Sequence, residues 1–309
     1  MNLYLPIAET TINSFAYIGM GAAVGFLSGM FGVGGGFLIT PLLMLAGISP
    51  AVAVGTGAAQ VVASSVSGTI AQYRRNNVDF KMGLILFLGG LIGAVLGVEV
   101  VRLLRRVGQF DLFVALSYVA FLGSIGGLML VESLNTIRKS RHVIEPGRKK
   151  RDRTAFDALP WKMRFHRSKL YISAIPPLAI GAIVGLLASI MGVGGGFVMV
   201  PAMIYLLKIP TNVVIGTSLF QIGCVTSVST VLHAVNNHNV DLVLATLLMI
   251  GAVIGAEFGT VAGQRLKGEH LRFLLAGLVL MVSVRMAFDL IATPENLYSV
   301  NYERHGSGE

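Results

Sequence analysis

The sequence predicts an all-α polytopic membrane protein made of two homologous halves in a pseudo-two-fold arrangement, with about eight full spans and two short broken or re-entrant helices. Three observations carry that expectation. First, 54% of the 309 residues are hydrophobic and only 13% are charged, giving a mean hydropathy of +0.75, far from the composition of soluble domains. Second, apolar runs near 11–31, 51–73, 81–101, 110–131, 170–191, 212–234, 241–261 and 271–292 each reach the roughly 20 residues that a helix needs to cross a bilayer. Third, the hexapeptide GVGGGF occurs twice, at Gly32 to Phe37 and at Gly192 to Phe197.

Each element has a reason in its own residues. The N-terminal MNLYLPIAET lacks a basic region and a cleavage site, so it is expected to lead into an uncleaved first helix. That first span ends at the glycine cluster, where a backbone without side chains is free to bend or to approach something closely. A segment from Phe37 to Gly47 follows. It is long enough for about 16 Å of helix, roughly half the hydrocarbon core, which marks it as a half-helix. After Pro50 comes a span rich in Gly, Ala, Ser and Thr, then two ordinary spans. The first of these carries Gly89, Gly90, Gly93 and Gly97, a stripe suited to close helix packing.

Residues 132–169 hold 12 basic and 4 acidic side chains, a solvated basic linker expected on the cytoplasmic side, with one amphipathic helix around Trp161 to Leu170. The second half, 170–292, then repeats the first, 1–131. Pro41 matches Pro201, Pro50 matches Pro210, Gly55-Thr56 matches Gly216-Thr217, and Gln60 matches Gln221. Further on, Asn76 matches Asn237, Val78-Asp79 matches Val240-Asp241, Gly93 matches Gly255 and Gly97 matches Gly259. A register of this length is a duplication. The half-helix Phe197 to Leu207 recurs with it, and residues 293–309 form a polar C-terminal tail. With the linker inside, the positive-inside tendency leans towards halves of opposite orientation.

Composition also excludes classes. The net charge of +9 comes largely from the linker, which holds half of the 24 Lys and Arg residues, so it reads as topology and not as a nucleic-acid surface. Cys224 is the single cysteine and allows no internal disulfide. No His, Cys or carboxylate spacing forms a metal site, and no cofactor motif is present; GVGGG lacks the Lys-Ser or Lys-Thr of a phosphate loop. Ser218 and His233 share one span but stand about 22 Å apart along a straight helix, which leaves an intramembrane enzyme without a nucleophile and base in reach, and no catalytic residue is assigned.

The candidate substrate-binding residues are Gly32, Gly34, Gly35, Gly36, Thr56 and Gln60, with Gly192, Gly194, Gly195, Gly196, Thr217 and Gln221. Glycines before a helix start turn backbone N–H groups and a positive dipole end towards an anion. Thr56 with Gln60, and Thr217 with Gln221, are one turn apart and share a face. Close helix crossing and interhelical hydrogen bonding are the structural alternatives. Among charges within spans, Glu257 and Arg285 are candidates for ion coupling, with a structural Glu257–Arg285 pair as the alternative.

The repeated GxGGGxxxxP, followed by Gly-Thr and a polar helix, resembles the TauE/SafE sulfite exporter family, also called the toluene sulfonate uptake permease family. The resemblance covers both halves and rests on Gly32, Gly34, Gly35, Gly36, Pro41, Gly55 and Thr56, with Gly192, Gly194, Gly195, Gly196, Pro201, Gly216 and Thr217. It implies a multi-pass secondary transporter of the bacterial inner membrane. The partner it implies is a small anionic substrate of the sulfite, sulfoacetate or sulfonate class, moved by alternating access as one half rocks against the other. A passive anion channel is the competing reading. The long basic linker departs from the compact members of that family.

Overall fold

A computed structural model describes residues 2–4, 11–108, 110–140, 162–165, 167–168, 170–237, 239–265 and 268–291. The 293–309 tail and most of the basic linker lie outside the described residues. A short antiparallel hairpin of β1 (Asn2–Tyr4) and β2 (Thr11–Asn13) leads in. The first half then runs α1 (Ser14–Phe31), α2 (Gly36–Leu45), α3 (Pro50–Tyr73), α4 (Phe80–Arg106) and α5 (Phe110–Ser140). The second half follows a second hairpin, β3 (Lys162–Phe165) with β4 (Leu170–Ser173). It comprises α6 (Ile175–Met191), α7 (Gly196–Tyr205), α8 (Thr211–Leu232), a π-helical turn His233–Asn237, α9 (Leu242–Arg265) and α10 (Gly268–Ile291).

Local chemistry sets the helix starts. Asn13 Oδ1 accepts the Phe15 N–H at 3.1 Å to open α1, and Pro50 takes the first position of α3, where its missing N–H removes no helical bond. Asp79 opens α4 by accepting the Met82 N–H at 3.2 Å. Asp241 opens α9 by accepting the N–H groups of Val243 and Leu244, both at 3.0 Å. These are side-chain caps on otherwise unpaired donors.

Among the described residues, six helices are long and apolar enough to cross a membrane: α1, α3, α4, α5, α8 and α9. α6 and the described core of α10 are apolar but shorter. Large apolar side chains such as Leu128, Leu242, Phe258 and Val284 stand exposed on the outside of the bundle, as a lipid-facing surface requires.

Two helix pairs dominate the packing, and both join one half to the other. On α1, Gly21, Gly25 and Gly29 lie against the backbone of Leu248, Ala252 and Ala256, while Gly251, Gly255 and Gly259 of α9 lie against Ile18, Ala22 and Phe26. Numbers rise together, so α1 and α9 run parallel. In the same way Gly89, Gly93 and Gly97 of α4 meet Leu178, Ala182 and Leu186 of α6, which also runs parallel to it. No side chain separates the backbones, so each glycine is the only residue type that fits. Between these pairs α3 crosses α8 in the opposite direction, with Gly68 against Leu219 and Gly223 against Ser65. α5 passes α10 in the opposite direction too, as Gly126 against Leu280 and the Ser283 hydroxyl on the Val119 carbonyl show.

The linker prediction needs a correction. Strands β3 and β4 pair as a hairpin, where an amphipathic helix around Trp161 to Leu170 was expected; Trp161 itself is outside the described residues. The hairpin is tied down at its turn: the Ser168 N–H and hydroxyl donate to Asp79 Oδ2 at 3.0 and 2.8 Å, and Phe165 is buried. In β3 the half-buried Met163 and the buried Phe165 flank exposed Arg164, a period-two pattern that a strand satisfies and a helix does not. The fifth helix also continues to Ser140, past the point at which the linker composition begins.

Candidate functional site

The two glycine breaks have nearly the same geometry. Gly32 ends α1 in the left-handed region at φ 73°, and its N–H donates to the Ser28 carbonyl at 2.8 Å. Gly34 and Gly35 keep positive φ, 83° and 76°, before α2 begins. In the second break Gly192, Gly194 and Gly195 take φ 68°, 74° and 71°. Three left-handed positions within four residues favour glycine because a Cβ would clash with the backbone.

The breaks meet each other. Gly36 backs onto Val193 and Gly196 onto Val33, while Gly34 and Gly194 both lie against Val61 and Ile222. Val61 sits near the middle of α3 and Ile222 near the middle of α8, so the meeting point is at mid-depth of the bundle. All four of these apolar side chains are fully buried.

Carbonyls released by the breaks find donors. The Ser218 hydroxyl donates to the Gly32 carbonyl at 2.8 Å and the Ser64 hydroxyl to the Gly34 carbonyl at 3.1 Å. The Tyr118 hydroxyl donates to the Met191 carbonyl at 2.7 Å, and His233 Nε2 lies 2.8 Å from the Ser189 carbonyl. The starts of α2 and α7 are treated differently: Gly35 and Gly195 stand at their N-caps, and neither helix has a side-chain cap. Two uncapped helix N-termini therefore converge where the acceptors are already satisfied, an arrangement that favours an electron-rich guest.

Gln60 and Gln221 stand one residue before Val61 and Ile222, each fully buried, with neither the amide nitrogen nor the amide oxygen bonded to a protein partner. Gln221 Nε2 is turned towards Gly90 of α4. The hydroxyls of Ser28, Ser65, Ser189 and Ser229 are likewise buried without a partner. Unpaired buried amides cost about 1–3 kcal/mol each, so each marks a place that water or a ligand fills.

The threonines act elsewhere. Thr217 Oγ1 accepts the Asp79 N–H at 3.0 Å, and Thr56 Oγ1 accepts the Asp241 N–H at 3.1 Å. Each threonine thus braces the first turn of the opposite half's next helix, and the structure brings these hydroxyls to the aspartates and not to the glutamines. Asp79 and Asp241 were visible in the sequence only as repeat matches; an Asp directly before an apolar run was the available sign of a cap. Glu257 lines a groove between α3 and α9, whereas Arg285 stands exposed on α10. The Glu257–Arg285 pair does not form.

The model of the family described as "Sulfite exporter TauE/SafE" matches residues 17–286. The chain belongs to the TauE/SafE family. Its relatives include the Bacillus subtilis protein named "Probable membrane transporter protein YunE", 27% identical over 281 residues that cover 87% of this chain and 96% of that one. "Probable membrane transporter protein YjnA" of the same organism is 26% identical over 88% and 99% of the two chains. "Sulfite exporter TauE/SafE family protein 3" of Arabidopsis thaliana is 28% identical over 41% of this chain and 28% of its own. No solved structure matches. As a TauE/SafE member with six candidate spans, the chain is a multi-pass membrane transporter of the inner membrane, and the matched region takes in both breaks, both glutamines and the linker between the halves.

Proposed function

We propose that this transporter is a secondary carrier of small anions of the sulfite, sulfoacetate or sulfonate class, working by alternating access around the paired breaks. The observation that carries the reading is the pair of fully buried, repeat-related amides of Gln60 and Gln221, each next in sequence to Val61 or Ile222, the side chains on which both glycine breaks rest. Neutral donors and helix dipole ends stabilise a single negative charge without holding it so tightly that release becomes slow. Gly32, Gly34, Gly35 and Gly36, with Gly192, Gly194, Gly195 and Gly196, form the floor of that site.

The halves are inverted about an axis in the membrane plane, which needs an odd number of crossings in each half, with α2 and α7 as half-helices; the opposite directions of α3 against α8 and of α5 against α10 support this. Because α1 leans on α9 and α4 on α6, the moving bodies are cross-half pairs and not the two halves as such.

The test is flux into proteoliposomes loaded with purified full-length protein, screening sulfite, thiosulfate, sulfoacetate, taurine and simple carboxylates. Uptake of a sulfur oxyanion that is lost in Gln60→Leu and Gln221→Leu is the expected result. Uptake of carboxylates alone overturns the substrate class, and conduction far faster than carrier turnover overturns the carrier.

A further inference from the structure

We infer that the groove between α3 and α9 is a binding site for one phospholipid with a primary-amine headgroup, held by Arg74 at the phosphate and Glu257 at the ammonium. The groove encloses about 520 Å³, within the range of small-molecule sites. Its α3 wall runs from Val62 through Val66 and Ile70 to Arg74, and Glu257 closes the α9 side. The path from Val62 to Arg74, the C-cap of α3, spans about 18 Å at the helical rise, close to the roughly 15 Å of one hydrocarbon leaflet. The inner end starts at mid-bundle, and the outer end is the end of α3.

Charge is arranged to match. Ser67 of α3 and Arg75 in the turn after it bond the carbonyls of Val253 and Thr260 on α9, which sets Glu257 about level with Ala71, one turn inside Arg74. The two charges line the same groove yet do not pair with each other; among the described residues the ion pair formed is Arg102 with Glu99 on α4. Glu257 also stands in an exposed apolar stripe with Val253, Ile254, Phe258 and Val261. A carboxylate facing lipid is costly unless a cation or donor meets it. With its phosphate at Arg74 and its acyl chain along Val62, Val66 and Ile70, a zwitterionic headgroup reaches Glu257 by folding its flexible amine arm back by about one helical turn.

The internal repeat serves as a control. The positions matching Arg74 and Glu257 in the other half are Val235 and Val95, both exposed and apolar. The fold therefore does not require charge at these places, and only one of the two related faces has acquired it. That face opens at the basic end of the bundle, near Arg75, Lys81, Arg164 and Arg167.

The test is native mass spectrometry of the full chain taken from nanodiscs of phosphatidylethanolamine, phosphatidylcholine or phosphatidylglycerol. The expected result is one retained phosphatidylethanolamine, favoured over phosphatidylcholine by about tenfold, or about 1.4 kcal/mol. Glu257→Gln, which is nearly isosteric, abolishes that preference, Arg74→Gln weakens retention of both lipids, and Val66→Trp fills the groove and abolishes retention. Equal retention of the two zwitterionic lipids by the unaltered protein, a preference that survives Glu257→Gln, or tighter retention of phosphatidylglycerol than of phosphatidylethanolamine overturns the inference.

Discussion

The same two helices present a threonine and a glutamine one turn apart, and the structure gives them opposite duties. Thr56 and Thr217 each accept a backbone N–H from the other half, so Thr56→Val and Thr217→Val strand a buried donor and are expected to lower stability by about 1–3 kcal/mol. Gln60 and Gln221 bond nothing in the protein. Gln60→Leu and Gln221→Leu remove unpaired buried groups and are expected to hold or raise the thermal midpoint while abolishing transport. Thermal unfolding in detergent, set beside proteoliposome flux, separates the two classes; a Gln variant that melts early and a Thr variant that melts normally reverse the assignment. Sequence spacing could place each pair on one face, because helical periodicity is local. It could not divide their roles, because the partners of the threonines, Asp241 and Asp79, are fixed only by the tertiary approach of the other half.

At the scale of elements, the helices were legible because length and apolarity alone identify a span, and the breaks because glycine before a short segment has few other uses. Which helices the glycine stripes touch was not legible. A stripe announces a close neighbour without naming it, and here the neighbour is a parallel helix from the other half. Gly93 and Gly255 stand on the backbone of Ala182 and Ala22, so a side chain there must force two rigid helices apart. Gly93→Leu and Gly255→Leu are expected to abolish accumulation of folded protein, whereas Gly277→Ala, with nothing near its Cβ position, is expected to leave yield and flux unchanged. Size-exclusion profiles of the three variants check this, and a normal profile for either leucine variant contradicts the interface. The β3–β4 hairpin eluded the sequence for a different reason: twelve residues rich in charge support helix or strand equally until Asp79 is seen to hold the turn at Ser168.

The whole molecule is interlocked, since α1 belongs to α9 and α6 to α4, and what lies between these pairs is the antiparallel crossing of α3 on α8. Alternating access by cross-half bodies has to shift that crossing, because the two breaks and both glutamines sit along it. A Cβ placed at Gly223 lies 3.4 Å from the Ser65 Cβ, near the 3.5–4.5 Å separation of disulfide-bonded residues, and such a separation is ordinary contact, not a clash. In a Cys224→Ala background, Ser65→Cys with Gly223→Cys is therefore expected to oxidise readily and to lock α3 against α8. Transport should fall at least about tenfold on oxidation and return on reduction, the reduced double variant serving as its own reference for any cost of the substitutions. If transport persists in fully oxidised protein, the crossing is static and the path lies along the outer pairs, α1 with α9 or α4 with α6. Rigid glycine-to-backbone contacts make that alternative demanding, since sliding by even one residue would drive Gly21, Gly25 and Gly29 off the backbone positions that only they fit.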